Sequence, residues 1–384
     1  MPLSIALSVG EYVDGAAAAC LLSIVASLHA RIRRLELRLP QAKFRTKLAV
    51  FAGQSLPELR SVALRPAYPS NDREPQPQWQ LASSPDGLDL SRANAPFLRE
   101  VDLRDGWANP EYESGRYGVV PRALLLGSVR REKLEVIGLD LRPETAQRDV
   151  EALLRCMEAR EIRLGACHFL RPGEKTGALT FASSDRRVSM LELETLVTGS
   201  LAVEMLAQIR APSLQTLSTR IGPEMPVEET FVEFVLASDG CPRLTTLRLH
   251  LRHLETLYGT LRAVPTVENL ELWLNVPDMQ LRSLLNILDC DRHVLPALRR
   301  LALRIGGQFQ LKDEQNIQSL VQFLWTRRCS PGRLSFFDIV NLNARRWTIP
   351  YSTFDAVVQD GLDVRMVLGN DQSWSLVQVH SFVD

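Results

Sequence analysis

The chain has 384 residues, of which 45% are hydrophobic and 23% are charged, a composition typical of a folded protein rather than a disordered one. Its 45 lysines and arginines equal its 45 aspartates and glutamates, so there is no overall positive charge to hold nucleic acid or anionic lipid. We therefore expect neither nucleic acid nor a membrane among its partners.

The first predicted elements are a strand and a helix at residues 1–31. Apolar residues from Leu3 to Val9 alternate with small residues, which indicates a strand. The apolar stretch from Gly15 to Leu28 is shorter than the ~20 residues that cross a bilayer, and acidic Glu11 precedes it where a signal peptide would be positively charged. We predict a buried helix there. The six cysteines are far apart and form no C-x-x-C pair, which favours a reducing, cytoplasmic or nuclear location.

From residue 32 onward, the pattern apolar-x-x-apolar-x-apolar recurs eleven times, ~30 residues apart on average. The copies are IRRLEL from Ile32, LRSVAL from Leu59, LREVDL from Leu98, LEVIGL from Leu134, AREIRL from Ala159, VSMLEL from Val188, LQTLST from Leu214, LTTLRL from Leu244, VENLEL from Val267, LRRLAL from Leu298 and LSFFDI from Leu334, with Thr219 at the last position of LQTLST. This spacing is slightly longer than that of typical leucine-rich repeats. Each copy predicts a short strand.

The segments between the copies carry signals for helices and for strand starts. Six copies have a proline two places before the first apolar position: Pro57, Pro96, Pro212, Pro242, Pro265 and Pro296. Proline fixes its own φ and biases the preceding residue toward extended backbone, so it is a natural stop between a helix and a strand. Several segments between the strands carry helical periodicity, at 21–28, 146–157, 281–288 and 317–324.

A strand and a helix in each copy predict an α/β fold, specifically a leucine-rich-repeat-like right-handed solenoid with a curved parallel sheet on the concave side and helices on the convex side. We predict one such domain over 1–384, with about eleven irregular repeats at 32–340, a long proline-rich loop at 66–95 and a C-terminal cap at 341–384. The leucines of the strands should be buried: Leu35, Leu37, Leu103, Leu139, Leu164, Leu193, Leu217, Leu247, Leu249, Leu270, Leu272, Leu301 and Leu303.

The segments PLSIALSV, HARIRRLELRLP, LPELRSVALRP and APFLREVDLR resemble the repeat region of F-box leucine-rich-repeat proteins of fungi, especially mushroom-forming fungi. The resemblance covers nearly the whole chain and rests on its P-x-L-x-x-L-x-L repeats. It implies the substrate-recognition part of a ubiquitin ligase, in which an upstream F-box binds a Skp-type adaptor. Nothing before Pro2 could be an F-box, so we expect this chain alone not to bind the adaptor. The alternative is an orphan repeat module that binds proteins or peptides without a ligase.

Enzyme motifs are missing from the sequence, which has no nucleophile elbow, phosphate loop or dinucleotide fingerprint. We predict no enzyme activity, catalytic residue or cofactor. Two clusters hint at a metal: Cys241 with His250 and His253, and Asp289, Cys290, Asp291 and His293. Zinc needs four convergent ligands, usually from paired short spacings, and each cluster has at most one such pair, so we predict no metal site.

The residues flanking the last apolar position of each strand should point to the concave face. They form two basic groups with acidic Asp140, Glu192 and Glu194 between them. The first group is Arg38, Arg65 and Arg104, and the second is Arg220, Arg248, His250, Trp273 and Arg304. Tryptophan among arginines is typical of an interface hot spot, so we predict that a protein substrate or peptide binds here. The alternative is a solvated mixed-charge face in which Arg163 pairs with Glu192 and Arg248 with Glu271.

Overall fold

A computed structural model describes most of the predicted strands and helices. The residues described are 2–9, 15–39, 49–51, 53–66, 95–103, 135–141, 158–166, 187–198, 204–221, 227–251, 254, 257–274, 281–289, 294–305, 314–329, 333–341, 351–370 and 373–378. The chain divides into two compact units, Met1–Leu193 and Glu194–Asp384.

The first unit contains a six-stranded parallel sheet in which each strand pairs with the next one along the chain. Its strands are β1 (Leu3–Ser8), β2 (Ile32–Leu39), β3 (Ser61–Pro66), β4 (Glu100–Leu103), β5 (Val136–Leu141) and β6 (Glu161–Ala166). Helix α1 (Gly15–Ser27) connects β1 to β2, and 3₁₀ turns lie at His29–Arg31 and Ala49–Phe51. A two-residue strand, β7 (Val188–Ser189), comes last.

The second unit has the same alternation of strand and helix. Its strands are β8 (Thr195–Thr198), the two-residue β9 (Ile209–Arg210), β10 (Thr216–Ile221), β11 (Thr246–Leu251), β12 (Asn269–Leu274), β13 (Arg300–Ile305), β14 (Phe336–Asn341), β15 (Asp363–Asn370) and β16 (Ser373–Gln378). Its helices are α2 (Glu204–Gln208), α3 (Val227–Ala237), α4 (Leu257–Arg262), α5 (Leu281–Asp289), α6 (Glu314–Arg328) and α7 (Asp355–Gln359), with a 3₁₀ turn at Tyr351–Phe354. Strands β8 and β10 to β15 form a parallel sheet, which β16 extends as an antiparallel strand.

The apolar positions of successive strands align into columns that form the core. Leu217, Leu247, Leu270 and Leu301 are direct neighbours across β10 to β13. Eleven of the thirteen leucines predicted to be buried are 2% exposed or less, which confirms that prediction for them. The side chains of the other two, Leu103 and Leu139, lie outside the described residues. Each fully buried leucine contributes roughly 1.5–3 kcal/mol relative to an exposed one, so the columns dominate the stability of both sheets.

The helices cover the apolar columns. In α5, all four residues of the predicted stripe are buried: Leu281, Leu284, Leu285 and Leu288. Helices α2 to α7 pack side by side in chain order, so they form one layer. The structure is therefore a mixed α/β fold with parallel sheets, as predicted. The predicted helix at 146–157 lies outside the described residues, as does the loop between 67 and 94. None of the described helices is both long and apolar enough to cross a membrane.

The prolines before the strands occupy the second position of a four-residue turn. The residue before each proline is buried, and its carbonyl accepts a hydrogen bond from the amide of the first apolar residue of the repeat. This bond is 3.1 Å from Leu59 to Leu56 and 3.0 Å from Leu244 to Cys241. Proline is favoured at this position because its fixed φ matches the turn. In these six repeats the proline turn thus directly precedes the strand, in agreement with the predicted role of the proline.

The sixth repeat has a different frame from the predicted one. Strand β8 places Leu196 beside Leu217, which makes Leu193, not Val188, the first apolar position of this repeat. Leu191, predicted to be buried in the strand, is 54% exposed. The prediction was wrong by five residues because VSMLEL fits the apolar pattern at all three positions, whereas the paired frame, LETLVT, ends in a threonine, Thr198. Leu193 is buried, as predicted, but it precedes the strand.

Helix α1 is buried on one side only. Ala18, Leu22 and Val25 are buried, whereas Leu21 and Ile24 are exposed. The predicted buried helix is therefore present, but it is buried on one face only. A helix in a single layer buries only the face that meets the sheet.

Candidate functional site: the open face of the second unit

The open face is the side of the second unit's sheet opposite the buried leucine columns. Side chains alternate along a strand, so residues next to the buried leucines share this side. One row across the sheet is Arg248, Glu271, Ala302, Asp338 and Arg365, on β11 to β15. The next row is His250, Trp273, Arg304 and Val340, on β11 to β14. Parallel pairing in constant register therefore gathers residues that are far apart in sequence.

Glu271 contacts three neighbouring side chains of this face. Its Oε1 accepts hydrogen bonds from Trp273 Nε1 at 2.9 Å and from Arg304 Nε at 3.1 Å. Its Oε2 lies 3.2 Å from Arg248 Nε. The Glu271 side chain is only 20% exposed, so it is partly desolvated, and three donors offset that cost. One carboxylate thus fixes the orientation of three neighbouring side chains.

Trp273 and His250 form a stacked pair of rings, the Trp273–His250 platform. Their rings stack with centroids 4.8 Å apart and planes inclined by 16°. They are direct neighbours on β11 and β12, and both side chains are half-buried. Because Glu271 holds the indole nitrogen, the platform is oriented before any partner arrives, which lowers the entropic cost of binding.

Asp338 lies two strands beyond Glu271 and shares Arg304 with it. Arg304 Nη2 is 3.2 Å from Asp338 Oδ2, so this arginine bridges the two carboxylates. The Asp338 side chain is 13% exposed. Burial raises its pKa above the ordinary aspartate value, and Glu271 adds to the rise, although Arg304 and Arg365 oppose it. Its Oδ1 is buried and accepts no hydrogen bond from the described part of the chain.

On β14 of the open face, the ring of Phe336 contacts two arginines. The guanidinium carbon of Arg300 is 4.5 Å from the ring centroid, and that of Arg365 is 4.8 Å from it. Such cation–π contacts hold both side chains in place. Arg365 Nη2 also lies 3.5 Å from Asp363 Oδ2. The face therefore carries ordered guanidinium groups on β11, β13 and β15.

The second predicted basic group lies on adjacent strands. Arg248, His250, Trp273 and Arg304 all belong to the open face, and Arg248 pairs with Glu271, as the mixed-charge alternative predicts. Arg220 aligns with His250 on β10, but its side chain lies outside the described residues.

The first predicted basic group is only partly described. Arg38 and Arg65 are neighbours on β2 and β3, and the side chain of Arg65 is outside the described residues, as is all of Arg104. Arg38 Nη2 pairs with Glu36 on its own strand at 2.9 Å.

The acidic group predicted between the basic groups is not supported. Glu192 and Glu194 precede β8 because of the shifted frame, so they are not strand-face residues. The predicted pair of Arg163 with Glu192 is wrong, since Arg163 pairs with Glu161 on the same strand. The side chain of Asp140 is outside the described residues.

Three residues of the open face were missed as candidates from the sequence: Arg300, Phe336 and Arg365. Arg300 and Phe336 precede the second core residue of their strands, a position that also faces outward by alternation. Arg365 lies in the segment interpreted as a cap, where β15 adds a further parallel strand. Extending the alternation by one outward position, two residues earlier in each strand, would have found the first two.

The described residues give little support for metal binding or for nucleophilic catalysis. They include no group of three histidine, cysteine or acidic side chains placed to hold a metal ion. His253 and the cluster around Cys290 lie outside them, apart from Asp289. Burial raises the pKa of the Cys241 thiol to about 11, with Asp239 adding to the rise and a hydrogen bond with Ser238 opposing it. That thiol is therefore protonated at neutral pH and is a poor ligand or nucleophile.

Comparison with known proteins adds no family to this description. No protein-family model matches the chain, and no curated protein matches it. The function therefore has to be inferred from the open face.

Proposed function

We propose that the protein is a non-catalytic interaction scaffold that holds a protein or peptide partner on the open face. The observation that carries this proposal is the Trp273–His250 platform, which Glu271 orients between Arg248 and Arg304. Oriented tryptophan and arginine side chains are the residues that most often dominate binding energy at protein interfaces.

We also propose a fold for the whole chain and a role for it in ubiquitin ligation. The parallel sheets and single-file helices are consistent with a leucine-rich-repeat-like solenoid, in which the open face is the concave side. Within that fold, the chain serves as the substrate-recognition part of an F-box-type ubiquitin ligase. A Skp-type adaptor then binds only through an upstream F-box.

The test begins with a partner recovered by affinity purification, whose binding is then measured against matched variants. Trp273→Ala should weaken binding by on the order of 2 kcal/mol if the indole is an anchor. Trp325→Ala is the control, because Trp325 is a comparably sized exposed residue on helix α6. Equal binding by both variants and the parent protein would contradict the proposal.

The ligase connection needs a separate measurement. If the partner is a ubiquitination substrate, its cellular half-life should lengthen when the gene is deleted, and Trp273→Ala should reproduce that effect. An unchanged half-life despite Trp273-dependent binding would instead support the orphan binding module.

A further inference from the structure

The sheet of the first unit carries a row of arginines along its entry rim, the rim at which the parallel strands begin. Backbone hydrogen bonds link the members of this row: the Arg60 amide donates to the Arg33 carbonyl, and the Arg99 amide to the Arg60 carbonyl, each at 2.8 Å. The residues that follow the three arginines are direct neighbours on β2, β3 and β4. The arginine row, Arg33, Arg60 and Arg99, therefore occupies one aligned position on adjacent strands, with backbones ~4.8 Å apart.

Two of the three arginines have no counter-charge. Arg33 and Arg60 are exposed, and neither forms an ion pair within the described part of the chain. Arg99 is 59% exposed and pairs at 2.8 Å with Glu135, which occupies the same position on the next strand. The exposed carboxylate of Glu58, on the turn before β3, forms no ion pair with the row. Like charges on neighbouring strands repel, so an anionic partner would relieve the repulsion between these arginines.

The same rim position in the second unit is not basic. It is occupied in turn by Gln215, Thr245, Glu268, Arg299 and Ser335, which are linked by the same kind of backbone hydrogen bond. The single arginine of that set lies with its Nε 4.0 Å from a carboxylate oxygen of Glu268. The arginine row is therefore a property of the first unit, since the repeat pattern constrains only the apolar positions.

An exposed aromatic ring lies beside the arginine row. Phe97 is 58% exposed and belongs to the turn that is closed by the hydrogen bond from the Leu98 amide to the Ala95 carbonyl. It comes two residues before Arg99, so the Cα atoms of the two residues are at most ~7 Å apart. Aromatic residues and arginine are the types most enriched at protein interfaces, which makes this part of the rim suitable for a protein partner.

We infer that the arginine row and Phe97 form a second interaction surface, which binds a short acidic segment of a partner protein that has an apolar residue next to its acidic residues. The carboxylates of the segment bind Arg33 and Arg60, whose forked N–H donors match the two oxygens of a carboxylate. The apolar residue packs on the ring of Phe97. This surface lies entirely within the first unit and uses no residue of the open face.

A short acidic segment suits the row better than a nucleic acid does. The row spans two strand spacings, ~10 Å, which is the length of about three extended residues. Three carboxylates, those of Glu58, Glu100 and Glu135, lie within two residues or one strand of the row and repel a long polyanion that continues past it. The chain as a whole has no net charge to compensate for that repulsion.

A synthetic peptide tests the chemistry of the ligand. The probe is fluorescein-labelled Leu-Glu-Glu-Glu-Glu-Leu, which offers the apolar residue at either end of the acidic run. One control peptide has lysines in place of the glutamates, and the other has serines in place of the leucines. Fluorescence anisotropy with the full chain at low salt should show binding of the probe, several-fold weaker binding of the serine peptide, and no binding of the lysine peptide.

Protein variants locate the surface. The double variant Arg33→Gln with Arg60→Gln should weaken binding of the probe by on the order of tenfold. Arg299→Gln is the matched control, because Arg299 holds the same rim position in the second unit and is 67% exposed, and it should leave binding unchanged. Arg248→Glu on the open face should also leave it unchanged. Phe97→Ser should bind the probe and the serine peptide equally, since the apolar contact is then lost in both.

Four results would overturn the inference: equal affinity for the glutamate and lysine peptides, equal effects of the double variant and Arg299→Gln, loss of binding in Arg248→Glu, or tighter binding of a labelled oligothymidine than of the probe. The last result would assign the row to nucleic acid instead. Thermal unfolding midpoints of the variants should match that of the parent protein, because the changed side chains are exposed. None of these measurements involves Trp273, so the inference and the proposed function fail separately.

Discussion

Thr198 and Thr219 occupy buried core positions where the later strands carry leucine, isoleucine or methionine. They are direct neighbours on β8 and β10, and Thr198 Oγ1 donates a hydrogen bond to Thr219 Oγ1 at 2.9 Å. A buried hydroxyl without a partner is costly, whereas two hydroxyls that satisfy one another are tolerated. Thr198 also contributes to the misplaced frame of the sixth repeat, because it occupies a position where the pattern has an apolar residue.

The hydroxyl pair predicts a specific pattern of stability. Thr219→Val should lower the free energy of unfolding by about 1–3 kcal/mol, because it leaves the Thr198 hydroxyl buried and unpaired. The double variant Thr198→Val with Thr219→Val should recover most of that loss, since valine has nearly the same shape and needs no partner. Urea unfolding of the two single variants and the double variant measures the coupling. A double variant as unstable as the sum of the singles would refute it.

Cys241 is buried, and its pKa of about 11 predicts both its reactivity and a pH effect. At pH 8, iodoacetamide should alkylate exposed Cys20 and Cys329 well before Cys241, as read by peptide mass spectrometry. Because the folded-state pKa is raised, the native state binds more protons than the unfolded state between about pH 9 and 11. Stability from this group is therefore present below about pH 9 and lost as pH rises through about 11.

The matched variant for this effect is Cys241→Ala, which removes the thiol. Its free energy of unfolding should vary less with pH over that alkaline range than the parent protein's does. Parallel curves for the two proteins would mean that the thiol is not the titrating group.

At the scale of the element, a repeat consists of a turn, which carries a proline in six of the eleven repeats, a strand of alternating core and face residues, and, in most repeats of the second unit, a helix that covers the core side. The turn and the alternation are local, so they recur wherever the sequence pattern recurs. The frame of each strand depends in addition on which neighbour it pairs with. Strand β8 shows the difference. Leu191 and Leu196 are each the second core position of a possible repeat frame, but only Leu196 pairs with Leu217.

The corrected frame predicts opposite outcomes for two similar substitutions. Leu196→Ala should reduce the free energy of unfolding by about 2–5 kcal/mol, because it leaves a cavity in a buried column. Leu191→Ala should change it by no more than about 0.5 kcal/mol, since that side chain is mostly exposed. Chemical denaturation of both variants distinguishes the two frames. A larger loss of unfolding free energy for Leu191→Ala than for Leu196→Ala would support the frame that starts at Val188.

At the scale of the whole molecule, the proposed solenoid makes a prediction about shape in solution. A compact globular protein of 384 residues has a radius of gyration of ~21 Å. Repeats stacked ~4.8 Å apart along one axis give a longer particle. Small-angle X-ray scattering should therefore give a radius of gyration clearly above ~21 Å and a skewed distance distribution. A value near ~21 Å with a symmetric distribution would argue against one continuous solenoid.

Much of the fold followed from the sequence because its determinants are local and repeated. The spacing of leucines predicted the buried columns of β2, β6 and β10 to β13, and the prolines predicted where strands start. The stripe at 281–288 predicted helix α5 for the same reason, since helical burial depends on residues within two turns of one another.

The sequence also placed Arg248, His250, Trp273 and Arg304 on one face, because strand alternation alone puts them there. Their interactions were decided by tertiary structure. Glu271 binds Arg304 from 33 positions away, and Arg300 and Arg365 meet at Phe336 only because β13, β14 and β15 are aligned in register. The hydrogen-bond partners of each carboxylate and the relative burial of the charged groups depend on the distances between strands. A repeat pattern fixes the side of the sheet, but only the pairing of strands fixes the contacts made across it.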